Sequence, residues 1–281
     1  MSVPAEADRR PPWLAWAALG TIYFVWGTTY LSIRVGVREL PPLLFAGFRF
    51  IVAGLLLYPI ARRLATSEAR TLGSPSRLGL RAWVAAAAVG ILLPAGGNGT
   101  VTFAETRIAS GLAAVLIATV PLWIVVFARV LRAQPITRRA MLGLLIGIGG
   151  VAILTGGGQT SGHLGYVVLT LGAAASWAFG SVLGHELPLP RQILLAASME
   201  MLVGGATLVI LGTATGEFAH VRLSAVPTTS WVALAYLIGP GSILAYSAYG
   251  YALSHLRVTT VATYAYVNPV VALIAGIVLL G

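Results

Sequence analysis

The chain has 281 residues, 58% of them hydrophobic and only 9% charged, with a formal net charge of +10 and a mean hydropathy of +0.89. A soluble domain of this length has no use for so much apolar surface, whereas a bilayer asks for about 20 apolar residues per spanning helix. The apolar runs do not alternate with polar residues as barrel strands do. With no cysteine, neither disulfides nor thiolate metal sites are available, and the four scattered histidines have no metal-ligand spacing. The class is therefore an all-α polytopic membrane protein.

All 18 basic residues are Arg. Apart from Arg49 and Arg129 they sit in the tail and in the loops between apolar runs, which is the pattern of a topology signal and not of a nucleic-acid surface.

In chain order, residues 1–12 form a polar tail ending in Arg9, Arg10, Pro11 and Pro12. The run at 13–33 is too long for a signal-peptide core and has no convincing cleavage site, so it is read as the first spanning helix. Further spans are expected at 43–61, 82–103, 108–130 and 139–154. The stretch "GGGQTSGH" at 156–163 is a linker. Four more spans follow at 164–183, 193–211, 231–253 and 258–280.

The chain repeats itself. Residues 104–123 and 252–271 align at a shift of 148, which places Ala104 on Ala252, Ala114 on Ala262, Pro121 on Pro269 and, further back, Trp83 on Trp231. At a shift of 151, Trp26 falls on Trp177, Arg49 on Glu200 and Gly54 on Gly205. The tail at 1–12 thus precedes a first repeat at 13–155, the linker at 156–163 and a second repeat at 164–281. The first repeat has five spans and the second shows four. The counterpart of the 139–154 span would begin at about residue 286, past Gly281, so ten helices are expected with nine visible.

Arginine placement sets the orientation. Arg9, Arg10, Arg62, Arg63, Arg70, Arg77, Arg81, Arg132, Arg138 and Arg139 share one side, against Arg34, Arg38 and Arg107 on the other. Ten against three puts the N-terminus in the cytoplasm. With an odd number of helices per half, the second half inserts upside down. The result is an inverted repeat around a central cavity, an arrangement many secondary transporters use for alternating access.

The segments "PPLLFAGFRFIVAG" (41–54), "GNGTVTFAE" (97–105), "SGLAAVLIATVPLW" (110–123) and "ATYAYVNPVVALIAG" (262–276) resemble the EamA-type branch of the drug/metabolite transporter superfamily. They are most similar to its YedA-like exporters, related to YddG-type amino-acid exporters. The likeness covers nearly the whole chain. It implies ten helices in two inverted five-helix repeats and the export of small metabolites from a bacterial inner membrane. The visible departure is the tenth helix. Arg49 matches an arginine common in the family's second helix, which implies a structural role there.

Several residues are candidates for a site. "LLPAGGNGT" in the third span and "GPGS" at 239–242 in the eighth interrupt their helices at nearly symmetric places. Such pairs point to a central site, although close helix packing also accounts for them. Pro94, Asn98, Thr102 and Glu105 share one helical face, which would let Asn98 project into a cavity. Thr260, Tyr264 and Asn268 form a polar stripe suited either to cavity lining or to hydrogen bonds between helices. Trp26 and Tyr30 in the first span, Trp177 in the sixth and Tyr246 in the eighth are aromatic groups able to enclose an apolar substrate, with core packing as the simpler role. The expected substrate-binding set is Trp26, Tyr30, Asn98, Trp177, Tyr246, Tyr264 and Asn268. Pro94, Pro121, Pro240 and Pro269 are expected hinges, with static kinks as the alternative. Arg49 and Glu200 are the deepest ionisable residues, and a charge at that depth costs about 2.5–3.5 kcal/mol unless it is paired or wet. Charge pairing, a coupling proton on Glu200 and a substrate carboxylate on Arg49 are the roles open to them.

The leading function is export of small metabolites, amino acids first, with drugs or nucleobases as alternatives. An intramembrane enzyme would need a nucleophile with a base or a metal cluster. The chain has no Cys, no HExxH and no GxSG, so no catalytic residue, metal or cofactor is expected. A scaffold of transporter fold is the third reading. The expected partners are a small molecule and the bilayer, without nucleic acid. A monomer suffices, and "GLLIG" (143–147) and "GSVLG" (180–184) also suit close helix packing or a dimer.

Overall fold

The computed structural model describes residues 12–71, 78–133, 142, 143, 146, 149, 164–221, 223–256, 258–261 and 263–280. The tail at 1–11, the linker at 156–163 and nearly all of the span expected at 139–154, with most of "GLLIG", lie outside the described residues. Among the described residues there are helices and no strands. Eight long helices organise them. They are α1 (Pro12–Gly36), α2 (Pro42–Thr71), α3 (Leu80–Ala104), α4 (Ser110–Leu131), α5 (Leu164–Gly184), α6 (Ile193–Ala214), α7 (Thr228–Ala252) and α8 (Tyr264–Leu280). Six of them, α2 to α7, are long and apolar enough to cross a membrane.

The expected ends hold to within a few residues except in α2, which runs ten residues beyond 61, and in α8, which begins six residues after 258. The expected end at 61 is where the charges begin, but charges do not stop a helix. Ala61, Arg62, Arg63, Leu64 and Ala65 all favour one, and Pro59 is accommodated inside it. Arg62 and Arg63 therefore ride on a helical extension and not in a loop.

Packing follows small residues. α2 lies along α6, α1 lies against α7 and α8, α4 packs on α5, and α3 fits between α5 and α6. At Gly205 of α6 a Cβ would stand 2.8 Å from the Ile51 nitrogen and 2.9 Å from the Gly47 oxygen. Only glycine permits that backbone-to-backbone approach between α2 and α6. At Gly90 of α3 a Cβ would stand 2.5 Å from the Glu200 oxygen. This is the contact that drives helix association where the hydrophobic effect cannot. Inside lie Ile22, Phe50, Leu116, Met199, Met201 and Leu237. Outside lie Leu55, Leu56, Ile60, Ile210 and Ile277, all exposed, as a lipid-facing surface requires. Trp13, Trp16 and Trp231 are exposed near helix ends, where amphipathic rings meet the headgroups.

Three helices are interrupted. α3 widens into a π-helical segment over Ile91–Gly99, which contains Pro94, and α7 does the same over Gly239–Leu244, which contains Pro240. α4 breaks between Ser110–Ile117 and Val120–Arg132, so that Pro121 opens the second piece. α8 continues through Pro269. There the break falls before Tyr264, after a short turn at Val258–Val261.

Candidate functional site

Each π-helical segment follows from its sequence. A proline has no N–H to close the preceding turn, and glycines weaken what remains. Two main-chain carbonyls of these segments accept from side chains of the other half of the chain. In α3, the Leu92 carbonyl accepts from the Ser176 hydroxyl of α5 at 2.8 Å. In α7, the Gly241 carbonyl accepts from Trp26 Nε1 of α1 at 3.3 Å and from Arg49 Nη2 of α2 at 3.4 Å.

Between these interruptions lies a cavity of about 70 Å³. All seven residues of the expected substrate-binding set line it, and so does Arg49. Seven of the eight helices contribute, and α6 does not.

Trp26 is the hub of the aromatic wall. Its ring lies 5.0 Å from Tyr264, 5.3 Å from Tyr249, 5.5 Å from Tyr246 and 6.4 Å from Trp177, mostly edge to face. Trp26 and Trp177, which the repeat relates, therefore meet at the cavity. Trp177 reaches it because Gly97 lets the ring lie against α3, where a Cβ would be 2.8 Å from the indole. Asn98 stands one residue on and also lines the cavity. The Asn268 amide, turned to satisfy its neighbours, donates to the main-chain carbonyls of Tyr23 (3.2 Å) and Tyr264 (3.0 Å). It thus joins α1 to α8 while lining the cavity, so both roles open to it are filled. Tyr23 turns aside to Thr263, hydroxyl to hydroxyl at 2.5 Å.

Arg49 is the one charged group among the lining residues, and it is buried. Its Nε donates to the Ser242 hydroxyl at 3.0 Å, and its guanidinium lies 4.7 Å from the Phe50 ring centre. Glu200 is placed differently from its repeat mate. It does not line the cavity, no ion pair joins it to Arg49, and its main chain abuts Gly90. Charge pairing between these two residues, one of the roles open to them, is therefore not what the structure has. Arg49 turns to α7, and α6 stands behind the lining helices. Of the four expected hinges, Pro94 and Pro240 sit in the π-helical segments and Pro121 at the α4 break, while Pro269 is inside a continuous helix.

The cavity also takes Thr29, Val101, Ile117 and Ala173, which the sequence does not single out. Small hydroxyl and aliphatic residues look the same on a lipid face and a cavity face, so no signal distinguishes them. Glu105, expected on the face of Asn98, is fully buried and does not line the cavity. It lies seven residues past Asn98, just beyond the end of α3.

Membrane-length helices wrapped around an internal cavity, with aromatic walls and one cation, are the build of a small-molecule membrane transporter. The chain belongs to the EamA-like transporter family, whose profile matches residues 12–156 and 164–281. It is 42% identical over 262 residues to the uncharacterized inner membrane transporter YedA of Escherichia coli K12, covering 92% of this chain and 80% of that one. It is 27% identical to a probable amino-acid metabolite efflux pump of Salmonella typhimurium, over 92% of this chain and 85% of the other. A solved crystal structure at 19% identity superposes with a TM-score of 0.59, covering 94% of this chain and 88% of its own. At that identity the likeness concerns the fold alone.

Proposed function

We propose that this transporter is an inner-membrane exporter of small metabolites, amino acids first among them, working by alternating access of two inverted repeats with the N-terminus in the cytoplasm. The observation that carries the reading is the cavity. It is small, it is enclosed by helices of both halves, and it brings the repeat-related Trp26 and Trp177 together. The two π-helical segments at nearly symmetric places support it, because discontinuous helices at a repeat interface are where transporters bind their cargo. The names of the relatives support the membrane and the substrate class, and the arginine distribution supports the orientation.

The test is counterflow into proteoliposomes with a panel of labelled amino acids, with and without a pH gradient. Selective uptake that is lost in Trp177→Ala and in Asn98→Ala is the expected result. Folded protein that moves no amino acid overturns the amino-acid assignment and leaves the other metabolites. Uptake driven by the gradient and uncoupled in Glu200→Gln would assign the coupling proton to Glu200, behind the cavity wall.

A further inference from the structure

The Arg49 guanidinium has five N–H donors. Two are used, one on the Ser242 hydroxyl and one, at 3.4 Å, on the Gly241 carbonyl. No carboxylate among the described residues forms an ion pair with it, and the cavity lining contains no acidic side chain. A buried cation without a counter-ion is costly, and two neutral acceptors with one aromatic ring compensate only part of that cost. One helical turn along α7 from Ser242, the Tyr246 hydroxyl lines the same cavity, buried and without a hydrogen-bond partner. An unpaired cation and an unpartnered hydroxyl thus line one space whose other walls are mainly aromatic and aliphatic, with Thr29, Asn98 and Asn268 as their neutral polar groups.

The geometry points to a carboxylate subsite: we infer that Arg49, with Tyr246 beside it, anchors the carboxylate of a small substrate whose apolar body lies against the aromatic wall. This rests on the transporter reading above and names its substrate class, small monocarboxylates in preference to amines or neutral compounds. A planar guanidinium suits the two oxygens of a carboxylate, and Tyr246 supplies a further donor. No side chain of the lining carries a negative charge for an ammonium group. The acid end is therefore read by charge, and the amino end, where there is one, meets only π faces and neutral polar groups such as Asn98.

The experiment titrates the purified full-length chain in detergent and follows tryptophan fluorescence, since Trp26 and Trp177 form the wall. The ligands are leucine, its deaminated acid 4-methylpentanoate, its decarboxylated amine 3-methylbutylamine and the neutral 4-methylpentanamide. The expected result is saturable binding of leucine and 4-methylpentanoate, with the amine and the amide far weaker. In Arg49→Gln the two carboxylates weaken about tenfold or more, as loss of a charge-assisted pair implies. The amide does not weaken, so the preference for acid over amide disappears. Arg49→Lys, a charge without the fork, falls between. Binding of the acid but not of leucine keeps the subsite and moves the source from amino acids to simple organic acids. Three results overturn the proposal: amine binding as tight as acid, an acid preference that survives in Arg49→Gln, or no binding of any of the four. If Arg49→Gln does not fold, the wild-type ranking decides. None of these outcomes touches the transporter reading, which the counterflow panel judges separately.

Discussion

Glu105 sits just past the end of α3 with no exposed surface, and neither of its carboxyl oxygens has a hydrogen-bond partner. The nearby Arg34 of α1 donates to its main-chain carbonyl instead. Burial pushes the Glu105 carboxyl well above the ordinary carboxylate range, against the pull of Arg34 in the other direction. The fold therefore holds this proton more tightly than the unfolded chain does. Such a group contributes stability that is fully present below the unfolded value and is lost as pH rises through the folded one. We expect the thermal midpoint in detergent to fall between about pH 5 and about pH 8, and Glu105→Gln to flatten that fall. A variant less stable at both pH values would mean that the carboxylate is charged and partnered.

The same residue shows how far the sequence reaches. Trp26, Tyr30, Trp177 and Tyr264 are legible because aromatic and polar groups stand out within apolar spans, and helical spacing assigns them a face. Glu105 shares the spacing of Asn98 but stands seven residues on, just past the end of α3, and spacing assigns a face without saying how far along the helix the cavity reaches. Glu200 and Arg49 both draw notice as deep ionisable residues, and of the two Arg49 alone lines the cavity. Repeat relation fixes a residue's place in its own half, but the two halves do not enclose the space equally.

At the scale of elements, α3 and α7 are built alike. Each is interrupted by a proline with glycines, and each has a main-chain carbonyl that accepts from a side chain of the opposite half. Ser176→Ala removes the hydroxyl that donates to the Leu92 carbonyl. It should cost about 0.5–1.5 kcal/mol, read as a lowered denaturation midpoint. Pro240→Ala restores an N–H and favours an unbroken α7, so we expect thermal stability to hold or rise while counterflow slows. Unchanged counterflow would make this interruption a static kink. The α2–α6 contact is set by backbone approach, so it tolerates no added side chain. Gly205→Ala puts a Cβ within 3 Å of both Ile51 and Gly47 and should cost about 1–3 kcal/mol, as overpacking does. A Cβ at Gly165 would meet only open space, so Gly165→Ala is the matched control, expected to be neutral.

For the whole molecule, the class and the places of the eight long helices follow from the sequence, because bilayer thickness and hydrophobic length are coupled so directly. The packing order does not, since it depends on which small residues meet. The absence of cysteine makes the orientation directly testable. A single cysteine at Arg63, on the α2 extension, should react with an impermeant maleimide only after the cells are opened. One at Thr106, between α3 and α4, should react in intact cells. The reverse pattern would invert the topology that the arginines indicate.

The Gly241 carbonyl accepts from Trp26 and from Arg49 at once. Two side chains that touch one acceptor are not energetically independent, and their substitutions will not sum. In a double-mutant cycle of Trp26→Phe and Arg49→Gln, the second change should cost more once the first has been made, because only then does the Gly241 carbonyl lose its last side-chain donor. The aromatic wall and the cation, supplied by different helices, are then a single thermodynamic unit anchored on one main-chain oxygen of the other half.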